Sequence, residues 1–268
     1  MQDHETDLVK STDSLKKDWS FLDPYTLPLD DVKDRSTIFV REVENLGIFQ
    51  KAYIKIYANR KYPFQRYLRK SKSRTEVRNL LFFQSIGIST PRIIGWGQRR
   101  NAIRHIIQDF IITEAIPHSL TLDQYVRRKS LSRLQAARLA RTLGLWLRSM
   151  HTNNFYHKDF HWRNILIRCK KQKLILSLID CPRGTFHYST SRSRYWRLKD
   201  CAILDKYASV LVDDVARSVF LQAYLSASRD SSSFKKWSQR IPAYRLARFD
   251  QKKGRTKVKP LNHNLKDV

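Results

Sequence analysis

His157-Lys158-Asp159-Phe160-His161-Trp162-Arg163-Asn164 runs directly into the apolar triplet Ile165-Leu166-Ile167. A second apolar run, Leu174-Ile175-Leu176-Ser177-Leu178-Ile179, ends at Asp180. An asparagine therefore follows Asp159 by five residues, and Asp180 stands sixteen further on at the end of a strand. This combination suits phosphoryl transfer from a nucleoside triphosphate. Such a reaction needs one carboxylate to orient the acceptor hydroxyl and take its proton. It also needs an amide oxygen and a second carboxylate to hold Mg2+ against the phosphates. Asp159, Asn164 and Asp180 supply these three groups. A bare Asp-x4-Asn arises often by chance; the apolar strands behind it and His157 before it make it more specific.

A cation on the α/β-phosphates must then lie upstream, with an acid to hold it. Ala52-Tyr53-Ile54-Lys55-Ile56-Tyr57 has the composition of a strand, with Lys55 its one charge. An edge lysine facing water would read the same way. Glu76 follows 21 residues later, in Arg74-Thr75-Glu76-Val77-Arg78-Asn79-Leu80-Leu81-Phe82-Phe83. Glu76 shares a helical stripe with Leu80 and Phe83, so it sits at the margin of a packed face within reach of a buried lysine.

Taken in order, these segments resemble the lipopolysaccharide kinase family, the Kdo and core-heptose kinases, a divergent branch of the protein-kinase-like superfamily. The resemblance rests on Tyr53-Ile54-Lys55-Ile56-Tyr57, Arg74-Thr75-Glu76 and Gly87-Ile88-Ser89-Thr90-Pro91-Arg92-Ile93-Ile94-Gly95-Trp96-Gly97. It continues through Phe155-Tyr156-His157-Lys158-Asp159-Phe160, Asn164-Ile165-Leu166, Ile179-Asp180 and Leu198-Lys199-Asp200-Cys201-Ala202, and spans roughly residues 36–226. It implies an α+β, bilobal protein-kinase-like fold: a small antiparallel sheet with one helix, then a mainly helical lobe. It further implies transfer from ATP, with Mg2+, to a sugar hydroxyl of the lipopolysaccharide inner core at the cytoplasmic face of the inner membrane. In this arrangement Asp159 acts on the hydroxyl and Asn164 and Asp180 hold the metal. Lys55, held by Glu76, binds phosphate, while Lys158 and Arg163 bring charge near the transferred group.

Several features depart from the wider kinase pattern. There is no Gly-x-Gly-x-x-Gly loop, and Gly47 alone sits between candidate strands at 38–43 and 48–57. Cys181-Pro182-Arg183-Gly184 follows Asp180, and Pro182 restricts the backbone of both itself and Cys181, which disfavours a segment that flips. No Ala-Pro-Glu element is present, so a protein substrate is disfavoured.

The chain has 268 residues, 41% apolar, enough to bury a core as one bilobal unit or two small domains. A net charge of +28, from 52 Lys and Arg against 24 Asp and Glu, calls for a polyanionic partner. Phosphorylated lipid A core, an anionic membrane surface and nucleic acid all meet that description, nucleic acid being the least favoured. The densest basic cluster, Arg60, Lys61, Arg66, Arg69, Lys70, Lys72 and Arg74, interleaves Tyr62, Phe64, Tyr67 and Leu68. It suits a headgroup-level surface or base stacking equally, and a charge run is usually just a solvated face. A kinase-fold module that binds protein or nucleic acid without this activity is the alternative. An aminoglycoside-type kinase would be expected to carry an acidic cleft instead. Three cysteines without Cys-x-x-Cys spacing give no zinc signature and fit a reducing cytoplasm. No apolar run approaches the roughly 20 residues that cross a bilayer, so membrane contact is expected to be peripheral.

Four segments emerge: a polar extension over 1–34, a nucleotide-binding lobe over 35–115, a helical lobe over 116–250 and a basic tail over 251–268. Strands are expected over 36–57, 92–97 and 102–115, with a helix over 73–86. The backbone around Glu114 and Ile116 is the candidate adenine-binding hinge, although a strand-ending turn before Pro117 would look the same. Helices are expected over 121–129, from a cap at Ser132 through Met150, and over 205–226. Asp200 is expected either to anchor the 157–164 loop through backbone amides or simply to start a helix. His157 is expected to hold the loop by hydrogen bonds to the backbone, and His151 and His161 are assigned no chemical role.

Overall fold

Ala52, Ile54 and Ile56 are buried while Tyr53 is 44% exposed, the alternation of a strand with one covered face. The structure, a computed structural model, describes residues 6–8, 37–45, 48–58, 71–100, 106–171 and 173–250. The chain divides into two compact units, one of Met1–Phe82 with Pro91–Pro117 and one of Phe83–Thr90 with His118–Val268.

The first unit holds β1 (Thr6–Leu8), β2 (Thr37–Asn45), β3 (Ile48–Ala58), β4 (Ile93–Arg100) and β5 (Ile106–Glu114). They form one antiparallel sheet in the order β1-β4-β5-β3-β2. Ala52, Ile54, Ile56, Ile94 and Ile112 make its core cluster, with Phe110 packed against them. Four strands were expected. β1, too short to show an alternation, adds a fifth by pairing Thr6 with Arg99 and Leu8 with Gly97. Gly47, the rest of the 1–34 extension, the 60–70 part of the basic cluster and the 251–268 tail lie outside the described residues.

Helix α1 (Lys72–Ser85) has no acidic residue in its first turn. Asp109 of β5 supplies one from 37 residues away, accepting from the backbone N–H of Lys72 at 2.6 Å and of Ser73 at 3.3 Å. The capping carboxylate thus ties the helix to the sheet. At the other end Gly87 adopts φ +76°. Its N–H donates to the Gln84 carbonyl at 3.0 Å and that of Ile88 to Phe83 at 2.8 Å, a Schellman stop that favours glycine.

The second unit contains β6 (Leu120–Thr121), α2 (Leu122–Arg128), α3 (Arg133–Thr152), β7 (Phe155–Tyr156), β8 (Ile165–Lys170), β9 (Lys173–Leu178) and β10 (Thr185–Phe186). Helices α4 (Thr190–Leu211), α5 (Asp214–Leu225) and α6 (Ser232–Arg245) complete it. Ser132 and Gln135 close a reciprocal capping box on α3: the Gln135 N–H donates to Ser132 Oγ, and the Ser132 N–H donates to Gln135 Oε1. Leu139, Leu143, Leu147 and Met150 of α3 are buried. Among the described residues, no helix is long and apolar enough to cross a membrane.

One expectation needs correction. The single helix over 205–226 is two helices, because Val212 is extended and Asp213 caps α5, its carboxylate accepting from the Ala216 N–H at 2.9 Å. Asp205 instead lies inside α4, where it pairs with Arg217 of α5 and Arg245 of α6, each at 3.0 Å.

Helices α3 and α5 cross closely at Gly144. A Cβ there would stand 2.5 Å from the Phe220 carbonyl oxygen and 2.9 Å from the Ala223 Cβ. Gly144→Ala would normally favour a helix by about 1 kcal/mol. Here the helices must part, so thermal or urea unfolding should show a loss of about 1–3 kcal/mol.

Candidate active site

The alternation along β3 that buries Ala52, Ile54 and Ile56 leaves Lys55 and Tyr57 on its other face. The Lys55 ammonium lies 3.6 Å from Glu76 Oε1, and both side chains are largely buried. The Tyr57 hydroxyl donates to Glu76 Oε2, and the Lys55 ammonium sits 5.0 Å from the Tyr57 ring centroid. The structure therefore brings Lys55 and Glu76 together, and adds Tyr57 as a partner not expected from sequence. Two ionised groups this far from water persist only when paired, and the pairing fixes the lysine rotamer.

In the second unit, the loop from His157 to Asn164 leaves β7. Asp200, fully buried in α4, accepts from the His157 N–H at 2.9 Å and the Lys158 N–H at 2.8 Å. Its Oδ2 also lies 3.4 Å from His151 Nε2, whose ring continues through Nδ1 to the Tyr224 hydroxyl at 2.9 Å. Arg197 Nε donates to that hydroxyl at 2.9 Å. Of the two expectations for Asp200, the structure shows the loop anchor; the residue is in mid-helix. The anchor holds Lys158 at φ +66°, a left-handed conformation rare for a non-glycine residue.

His157 is completely buried, and neither ring nitrogen has a hydrogen-bond partner. It lies parallel to Phe83 at 5.8 Å and tilted against Phe160 at 5.2 Å. It shapes the loop by packing rather than by the backbone hydrogen bonds expected of it. Burial above all, against the nearby carboxylates of Asp200, Asp159 and Asp180, lowers its pKa and favours the neutral ring.

Asp159 Oδ1 lies 3.1 Å from His161 Nε2, and Oδ2 lies 3.7 Å from Arg163 Nη2. Burial alone would raise the Asp159 carboxyl; the His161 hydrogen bond and charge, with Arg163 and His157, outweigh it and hold the pKa at about 2. His161 was assigned no role from sequence, yet it is the nearest partner of the candidate catalytic carboxylate. The available signal was the i, i+2 spacing across a loop, which is weak by itself.

Asn164 ends a single 3-10 turn (Trp162–Asn164) and opens β8. Its Nδ2 donates to the Asp159 carbonyl at 2.9 Å, which leaves the amide oxygen to face elsewhere. The β8–β9 hairpin pairs Ile165 with Leu178, and the Ile179 N–H donates to the Asn164 carbonyl at 2.9 Å. Asn164 and Asp180 thus flank one end of one hairpin. Their oxygens are hard donors of the kind Mg2+ takes, and that ion needs only one or two protein ligands beside phosphate and water. Among the described residues no group of three His, Cys, Asp or Glu side chains could hold a metal. A two-residue set fits Mg2+ with bound phosphates, not a dedicated protein cage.

The remaining candidates are placed as follows. Glu114 pairs with Arg92 at 2.9 Å on the surface, and its N–H donates to the Arg92 carbonyl, also at 2.9 Å. The Ala115 N–H donates to Lys51, and Ile116 precedes Pro117, where the first unit ends. Arg163 reaches Asp159, whereas the Lys158 ammonium lies over the Trp196 ring, 4.4 Å from its centroid. The Gly87–Thr90 segment docks on the strand leading to Asp180: the Leu178 N–H donates to the Ser89 carbonyl at 2.8 Å, and the Ser89 and Ser177 hydroxyls meet at 3.0 Å.

The description "Lipopolysaccharide kinase (Kdo/WaaP) family" belongs to a family model that matches residues 28–235. The chain belongs to that family. It is a kinase, a phosphotransferase with an alcohol group as acceptor, and the family implies ATP as donor. A solved structure of WaaP in complex with acyl carrier protein is similar over 77% of this chain and 84% of that chain, with a TM-score of 0.55 and 20% identity. At that identity the likeness shows the fold alone, an α+β protein-kinase-like architecture. No curated protein sequence matches significantly.

Removing the Asp200 clamp should be costly. Asp200→Ala strands two buried amides, and chemical denaturation should show a loss of about 2–5 kcal/mol. Asp200→Asn, which keeps an acceptor oxygen, should lose less. Asp159 yields a separate expectation. Its folded pKa of about 2 lies below the ordinary 3.8, so its ionised form stabilises the fold above about pH 4. That contribution is lost as pH falls from about 4 to about 2. His161→Ala should raise the carboxyl, so the variant's deficit in melting temperature should be present above pH 4 and shrink below it. A deficit constant from pH 5 to 2 would contradict the pairing.

Proposed function

We propose that this kinase transfers the γ-phosphoryl group of ATP to a hydroxyl of a Kdo or heptose residue in the lipopolysaccharide inner core. The observation that carries this is the arrangement in the second unit. Asp159 stands in a loop clamped by Asp200, and Asn164 and Asp180 flank one hairpin end beside it. Asp159 accepts a hydrogen bond from the acceptor hydroxyl and takes its proton as the new bond forms. Ionised at neutral pH, it is ready for that role, and His161 and Arg163 keep it oriented.

Asn164 and Asp180 would hold Mg2+, which supplies charge neutralisation on the phosphates when bound. Lys55, steadied by Glu76 and Tyr57, neutralises α/β-phosphate oxygens. The backbone at Glu114 and Ile116 is assigned to adenine, and Gly47, between the paired strands β2 and β3, to the loop over the phosphates. The net charge of +28 supports a peripheral position on the anionic cytoplasmic face of the inner membrane, where the lipid-linked acceptor is held. The WaaP complex makes acyl carrier protein a candidate partner for this chain as well.

Asp159→Asn tests the mechanism. Transfer of labelled phosphate from ATP to purified core lipid should fall by about 10³-fold or more, as expected when the base that positions the hydroxyl is lost. Mg-ATP should still raise the melting temperature as in the wild type, because the nucleotide contacts are untouched. Undiminished turnover would eliminate the assignment.

A further inference from the structure

Arg192, Trp196 and Lys199 follow one another at i, i+4 and i+7, so they share one stripe on the first turns of α4. The Lys199 ammonium lies 4.4 Å from the Trp196 ring centroid, and so does that of Lys158, arriving from the 157–164 loop. His187 lies parallel to the same indole at 6.2 Å. One ring thus gathers two ammonium groups and an imidazole, with the Arg192 guanidinium one turn away.

Among the described residues, no carboxylate is committed to this charge. Lys158, Arg192 and Lys199 make no ion pair with a carboxylate among the described residues. The carboxylate that acts on Lys158, Asp200, is already engaged by two backbone amides and His151. Burial first, then Lys199 and Arg192, press the Lys158 ammonium below its usual pKa, with Asp200 opposing. Burial, Lys158 and Arg192 do the same to His187, whose Nε2 is shielded from water without a hydrogen-bond partner. A cation–π contact contributes only about 0.5–1 kcal/mol at such a site, too little to explain the gathering of like charges. A bound anion would relieve the repulsion and accept several charge-assisted hydrogen bonds at once. The positive end of the α4 dipole acts in the same sense.

The geometry points to Lys158, His187, Arg192 and Lys199 around Trp196 as the binding site for an acid group, phosphate or carboxylate, carried by the acceptor sugar. This rests on the proposed function, which assigns Asp159 to the acceptor hydroxyl. Lys158 adjoins Asp159, with Cα atoms about 3.8 Å apart. Yet the Asp159 carboxylate faces His161 and Arg163 while the Lys158 ammonium faces α4. One acceptor can therefore place its hydroxyl at the first residue and a neighbouring acid group at the second. Lys55, Asn164 and Asp180 are already assigned to the nucleotide phosphates.

The test uses the full chain saturated with Mg2+ and a non-hydrolysable ATP analogue, so that the nucleotide site is filled. Inorganic phosphate is titrated calorimetrically at constant ionic strength against the wild type and an Arg192→Gln/Lys199→Gln double variant. The wild type should bind saturably and the variant about tenfold more weakly, as expected for the loss of one exposed and one half-buried charge. Arg192→Lys/Lys199→Arg, which keeps the charge, should restore binding and guards against a folding defect. With core lipid as acceptor, the Gln variant should raise the acceptor KM about tenfold, leaving the KM for ATP and kcat within about twofold. Equal phosphate affinity in wild type and Gln variant overturns the site. Weaker binding to phosphatidylglycerol vesicles with an unchanged acceptor KM overturns its assignment to the acceptor in favour of a lipid headgroup. The calorimetry does not depend on turnover, so loss of the kinase function and loss of this site would be seen separately.

Discussion

A carboxylate with no access to water, Asp200, carries the geometry of the site. Burying it would cost several kcal/mol were it not repaid by hydrogen bonds to charge, and the two amides and the His151 ring supply these. The amides belong to consecutive residues, His157 and Lys158, so the clamp fixes a peptide plane as well as a position. It sustains the left-handed backbone at Lys158, which a lysine would leave at a gain of about 1–2 kcal/mol if free to do so. That kink turns Lys158 toward α4 and the next side chain, Asp159, toward His161 and Arg163. Two neighbouring residues thereby serve two different places.

The second support is the β8–β9 hairpin. Its ladder holds Asn164 and Ile179 in register, and Asp180 follows at φ +60°, again left-handed for a non-glycine residue. Strain of this kind persists only where surroundings over-determine the backbone. Here the loop that ends at Thr90 braces β9 through Ser89, the Schellman stop at Gly87 having turned the chain toward it. The Gly-Ile-Ser-Thr motif is thus a mechanical support of the backbone that leads to Asp180.

What could be read in advance follows the range of the interactions. The alternation along β3, the Ser132–Gln135 capping box and the apolar row of α3 are local patterns, and the helix and strands they predict form where expected. Lys55 and Glu76 are separated by 21 residues but belong to a strand and a helix with readable faces, so their meeting was legible too. Asp109 capping α1 and Asp200 clamping the loop span 37 and 42 residues or more, and no local pattern encodes such a bond. The first two-thirds of α4, 190–204, was missed for another reason: it opens on Thr190-Ser191-Arg192-Ser193-Arg194, which has no apolar period, and the helix is held by its later turns. The false continuity across 212–213 shows the converse, since an unbroken apolar rhythm concealed the Asp213 cap that divides it.

Charge takes on a different meaning once burial is known. Glu76, Asp109, Asp200 and Asp205 are buried and committed to partners inside the protein. They account for four of only 24 acidic residues, so the acid available to balance the exterior is scarcer than composition suggests. Most of the 52 Lys and Arg residues cannot be buried alone and must face solvent. The surface met by a partner is therefore strongly cationic, because 52 Lys and Arg stand against 24 Asp and Glu and four of those acids are turned inward. A polyanionic partner is steered by such a field from beyond contact range, to about a Debye length at physiological salt.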